Sequence, residues 1–145
     1  MIPPMERAVV ERLESAAAAI FRDTPVLFAY LFGSFAAGTA RAGSDVDVAV
    51  YLGPDAPAEM LEGSLYLSGE LSRASGIGDI DVTILNRAPL PLRGRVVRER
   101  RVLYSRDEPT RVRFESLTLR EFFDFELHAR PLDLELLRAT AEGRR

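Results

Sequence analysis

"LFGSFAAGTARAGSDVDVAV", residues 31–50, decides how this chain is read. A short apolar run ends at Gly33-Ser34. Ten residues further on, Asp45 and Asp47 open a second run that alternates and is β-branched. Side chains of a strand alternate between its faces, so Asp45 and Asp47 share one face, roughly 7 Å apart. Val46, Val48 and Val50 share the other. Three valines on one face mark a strand packed on a core. Two carboxylates at its start need another reason.

Working outward, "VLFAYLF" (26–32) lies between Pro25 and Gly33 and predicts a central strand. A helix is expected over 5–21, with Val9, Leu13 and Ile20 among its apolar positions. "SFAAGTA" reads as a loop with one helical turn. "DVDVAVYL" (45–52) is the second strand and "DIDVTIL" (79–85) the third. Between them a helix is expected over 56–74, with Met60, Leu61, Leu65, Leu67 and Leu71 facing the core. A short helix over 92–99 leads to a brief strand at "RVLY". A longer helix spans 110–129 and stops at Pro131, and a last short helix follows it. This order predicts an α/β (α+β) fold, a small mixed β-sheet flanked by helices.

The 145 residues suit one domain with one sizeable core. Cysteine is absent, which removes disulfides and thiolate metal sites. All 19 basic residues are arginine. A Walker-type phosphate loop and a Schiff-base lysine are therefore excluded. The net charge of −3 supplies no global attraction to nucleic acid or to anionic membrane. The most apolar run is too short to span a bilayer, and the start lacks a basic region leading into an apolar one. A cytoplasmic protein is expected.

In the third strand Asp79 and Asp81 share a face. If this strand neighbours the second, one of them stands beside Asp45 and Asp47. Two like charges about 4 Å apart repel by roughly 4 kcal/mol at an effective dielectric of ~20. Such a cluster either holds a proton or holds a cation. With no cysteine and one histidine, an oxygen-only site suited to Mg²⁺ or Mn²⁺ is expected. Gly33 permits a sharp turn, and Ser34 is placed to cap a short helix whose N–H groups meet an anion. Phosphates beside a carboxylate-bound metal are the setting for phosphoryl or nucleotidyl transfer. An Asp-x-Asp alone is common at exposed strand ends, and a Gly-Ser alone carries little. Their conjunction with an aspartate on a third strand is the specific signal.

"GSFAAGTARAGSDVDVAV" resembles the G-S-x(10)-D-x-D signature of the polymerase β-like nucleotidyltransferase superfamily. The short length resembles its minimal nucleotidyltransferase (MNT) branch. The resemblance covers roughly residues 5–105 as a catalytic core, with helices over about 110–142, in a single nucleotidyltransferase domain spanning 1–145. It implies a polymerase β-like nucleotidyltransferase fold, two Mg²⁺ ions (Mn²⁺ in their place is compatible) and ATP as substrate. It places Gly33 and Ser34 on the triphosphate and Asp45 and Asp47 on the metals. Asp81 fits the third carboxylate, a metal ligand that also orients or deprotonates the attacking hydroxyl. Asp79 shares its face and competes for that role. In the MNT branch the acceptor is a partner HEPN-domain ribonuclease toxin, inactivated by AMP on a tyrosine, and the MNT protein is the antitoxin. The alternatives are an aminoglycoside-type nucleotidyltransferase and a non-catalytic binding antitoxin. Direct binding to nucleic acid is not expected.

Other residues carry open readings. Arg93, Arg95, Arg98, Arg100 and Arg101 suit phosphates, an acidic partner or a solvated helix face. Arg41 lies in the motif loop. Tyr51 shares the face of the aspartates, as a base-stacking residue or a rim residue. His128 is read as structural. From residue 110 onward, Phe114, Leu117, Leu119, Phe122, Phe123, Phe125 and Leu127 cover an arc of roughly 280°, against a little over 100° for one core stripe. The surplus is covered either by "LDLELL" or by a partner.

Overall fold

The computed structural model describes residues 4–40 and 45–141, with side-chain surroundings for 6–40 and 45–128. The elements run α1 (Pro4–Ile20), β1 (Val26–Phe32), α2 (Ser34–Ala37), β2 (Val46–Leu52), α3 (Ala58–Glu62), α4 (Leu65–Ser75), β3 (Ile80–Ile84), α5 (Leu90–Glu99), β4 (Arg101–Ser105) and α6 (Glu108–Ala141). The sheet order is β3-β2-β1-β4. β1 pairs antiparallel with β2 and with β4, and β2 pairs parallel with β3. The sheet is therefore mixed, as the sequence predicts.

Helices cover both faces. On one, Val46, Val48 and Val50 of β2 and Ile80 and Val82 of β3 pack with Val10 and Leu13 of α1 and Leu67 and Leu71 of α4. On the other, Phe28, Tyr30 and Phe32 of β1 and Ala49 of β2 meet Val96 of α5, with Tyr51 and Phe114 partly buried beside them. From Phe28 onward the even-numbered positions of β1 serve one layer and Ala29 and Leu31 the other, while Val26, before the register shift at Val26/Phe28, joins the layer of Ala29 and Leu31.

A buried polar knot fixes α6. The Tyr30 hydroxyl donates to Glu115 Oε2 at 2.7 Å, and Arg111 Nη1 donates to the same oxygen at 2.7 Å. Arg100 Nε lies 3.2 Å from Glu115 Oε1. Burial, then the hydrogen bond to Glu115, pushes the Tyr30 hydroxyl well above its ordinary pKa. It stays a donor at any physiological pH. α5 lies close against α6 at Gly94, where an added Cβ would meet the Phe122 ring at 2.1 Å.

Two expectations are corrected. The helix expected over 56–74 is two helices, because Gly63 adopts an extended backbone (φ −152°, ψ 149°) and ends the first. Leu65 consequently starts α4 on the outside, 89% exposed, while Leu67 and Leu71 reach the core. Pro131 does not end α6, which continues to Ala141. A proline removes one ladder bond, but the turns on either side can carry a long helix past it. Tyr51, whose reading was left open, is partly buried, with its ring stacked on Phe28 at 4.9 Å and 5.3 Å from Phe114. The "LDLELL" side chains lie outside the described residues. No described helix is long and apolar enough to cross a membrane.

Candidate active site

β1 ends at Phe32, and the chain reverses through Gly33 at φ 75°, ψ −153°. Only glycine adopts that backbone without strain. The close approach is the second requirement. A Cβ on Gly33 would stand 2.4 Å from Asp47 Oδ2. Gly33 occupies the N-cap position of α2 and Ser34 is its first residue, so the capping role expected of Ser34 falls to glycine backbone. The single turn closes with Ala37 N–H donating to the Gly33 carbonyl and Thr39 N–H to the Ser34 carbonyl.

Asp47 lies near the start of β2, opposite Phe32 of β1 on one side and Asp81 of β3 on the other. The parallel register pairs Asp47 directly with Asp81. Asp45 is exposed, one residue before β2 begins. Asp79 is also outside its strand. Its φ of 56° is positive, and its carbonyl accepts the Val46 N–H at 3.2 Å. The strand alternation that would have put Asp79 and Asp81 on one face does not reach Asp79.

Asp47 is half-buried, and its carboxyl is held above the ordinary carboxylate range. Burial is the largest cause, and the negative charge of Asp81 is the next. Asp45 and Glu99 push the same way, and Arg95 opposes them. Asp47 and Asp81 thus stand side by side, with the charges of Asp45 and Glu99 reaching Asp47. Among the described residues no group of three or more acidic or histidine side chains is closed around a point as metal ligands. The donor set is nonetheless all oxygen, mutually repelling and partly desolvated, which is the chemistry that a hard divalent cation relieves.

Glu99 had no role assigned from the sequence, and it meets Arg95 of the basic run whose reading was left open. Gly33 N–H donates to Glu99 Oε1 at 3.1 Å, and Arg95 Nε donates to Glu99 Oε2 at 3.2 Å. The Arg95 guanidinium rests 5.5 Å above the Phe32 ring. No local sequence signal carries this contact: Glu99 ends α5 just before β4, whose Arg101 stands opposite Leu31 of β1. Elsewhere in the basic run, Arg98 lies over Phe122 and near Glu126, and Arg100 joins the Glu115 knot. His128 is exposed, with Nδ1 2.8 Å from the Asp124 carbonyl one turn back in α6. Arg41 lies outside the described residues.

A search of curated proteins found no match. Solved structures share the fold. A chain of a toxin–antitoxin complex with AMP-PNP aligns with a TM-score of 0.68 at 22% identity, covering 86% of this chain and 98% of that one. A chain of a Shewanella oneidensis complex, a tri-AMPylated HEPN toxin with its MNT antitoxin, aligns at 0.65 and 19% identity, covering 88% and 98%. A MntA–HepT toxin–antitoxin structure aligns at 0.64 and 19%, with the same coverage. Residues 16–109, which carry the Gly33 turn, β2, β3 and α5, match the family model described as "Polymerase beta, Nucleotidyltransferase". The chain belongs to that nucleotidyltransferase family.

Proposed function

We propose that this protein transfers AMP from ATP to a hydroxyl of a HEPN-type toxin, most simply a tyrosine, and so acts as its antitoxin. The carrying observation is the pairing of Asp47 with Asp81 directly against the Gly33 turn. Family membership supports nucleotidyl transfer, and the similar complexes, one with AMP-PNP and one with an AMPylated HEPN toxin, support the substrate and the partner.

In this reading the whole chain, 1–145, acts as one domain in the cytoplasm. Asp45, Asp47 and Asp81 would hold two Mg²⁺ ions, which would neutralise the triphosphate and polarise its α-phosphorus. Gly33 N–H and the Ser34 hydroxyl would orient the phosphates. Asp81 would accept the proton of the attacking hydroxyl. The acceptor oxygen bonds to the α-phosphorus, the bond to the β-phosphate oxygen breaks, and diphosphate leaves. Holding the acceptor in line with that bond is the part a bound partner supplies.

The test pairs binding with transfer. Mg-ATP at millimolar concentration should raise the melting temperature, and Mg²⁺ alone should raise it less. Labelled ATP should then mark a co-purified HEPN protein, and Asp47→Asn should abolish the label. No thermal response to Mg-ATP would remove the nucleotide site. Binding without labelling would leave a nucleotide-binding antitoxin that works by contact.

A further inference from the structure

The Glu99 side chain uses both its oxygens on donors of the candidate site. Oε1 takes the Gly33 N–H, and Oε2 takes Arg95 Nε. A backbone N–H at a glycine turn and an arginine beside it are the pair of donors that a phosphate oxygen pair would use. We propose that Glu99 is a placeholder for a substrate phosphate: it holds the Gly33 N–H and the Arg95 guanidinium in place, and a triphosphate displaces it from both. This rests on the nucleotide reading above and adds two residues to it, Arg95 as a phosphate-binding residue and Glu99 as its competitor.

Three observations support the exchange. The Glu99 and Arg95 side chains are 38% and 54% exposed, so the carboxylate can return to water by rotating its own side chain. Arg95 is held over Phe32, whose strand partner is Asp47, so its guanidinium stays at the site when Glu99 leaves. Glu99 also adds negative charge beside Asp47, where Arg95 removes it. Replacing Glu99 by a metal-neutralised phosphate relieves that repulsion.

The experiment is calorimetric titration of the full chain with Mg-ATP, with magnesium tripolyphosphate and with adenosine. Glu99→Ala should bind Mg-ATP and tripolyphosphate about two- to fivefold more tightly, the range expected on losing an exposed competing ion pair. Glu99→Gln keeps an acceptor for Gly33 N–H and should fall between it and the unsubstituted chain. Arg95→Ala should bind both about tenfold more weakly, as for a lost charge-assisted hydrogen bond. Adenosine affinity should not move in any variant. Unchanged or weakened phosphate binding in both Glu99 variants would overturn the placeholder while leaving the nucleotide site standing. No Mg-ATP binding by the unsubstituted chain would overturn both.

Discussion

Asp47 and Asp81 stand directly opposite each other on neighbouring parallel strands, with the charge of Asp81 helping to hold the Asp47 carboxyl above its ordinary range. The folded chain therefore holds a proton on Asp47 more readily than the unfolded chain does. Ionised Asp47 costs stability. The cost is full above the folded pKa and disappears below the unfolded value near 3.8. Asp47→Asn should accordingly raise the melting temperature of the ligand-free protein at about pH 7 and leave it unchanged at about pH 3. The same variant should lose roughly two to four orders of magnitude of transfer if Asp47 holds metal as proposed, because the ligand charge would be gone. Melting curves at the two pH values and a single-turnover transfer assay check the two halves separately.

Gly33 and Gly69 should respond oppositely to alanine. At Gly33 the backbone is in a glycine-only region and the new methyl would strike Asp47 Oδ2. Gly33→Ala should cost about 1–3 kcal/mol and weaken Mg-ATP binding. Gly69 lies inside α4 with nothing within 4 Å of an added Cβ. Gly69→Ala should add about 0.5–1 kcal/mol and leave binding alone. Urea denaturation of both variants gives the comparison.

The Glu115 knot predicts unequal costs for its members. Glu115→Ala leaves the Tyr30 hydroxyl, Arg111 and Arg100 without their shared acceptor and should cost about 3–5 kcal/mol. Tyr30→Phe removes only one donor and leaves Glu115 with both arginines. It should cost about 1 kcal/mol. Equal costs in a denaturation series would show that the knot does not act as a unit.

On α6, Phe122 is buried beneath Gly94, whereas Phe123 is 59% exposed. Phe123→Asp should leave the fold and Mg-ATP binding intact and break co-purification with a HEPN partner. Phe122→Asp should unfold the protein. If Phe123→Asp retained the partner at normal yield, α6 would not be the docking helix.

The strands were legible because their signals are local. Pro25 and Gly33 bracket β1, and the valine alternation after Asp45 sets the faces of β2. The neighbourhood of Asp47 and Asp81 followed from two alternating strands, needing only that they be adjacent. The helices were harder. Gly63 ends α3 through its backbone torsion, and leucine spacing does not reveal that. Glu99 was missed for a different reason: its partner is a backbone N–H sixty-six residues away, reached only once β4 is laid against β1. Asp79 misled because its positive φ ends the alternation one residue before the strand.

The segment that matches the family model stops at residue 109, before nearly all of α6, and starts at residue 16, inside α1. Yet Val10 and Leu13 lie in the main core, and Phe114 and Glu115 close the opposite side of β1. In this chain the matched segment and the packed core therefore have different edges. A fragment trimmed to residues 16–109 would keep the aspartates and the glycine turn, but it would bare Phe28, Tyr30 and Tyr51 to water. It should behave as an aggregation-prone, loosely packed chain without a sharp melting transition. A family boundary drawn from sequence likeness is in this case a poor guide to where the molecule can be cut.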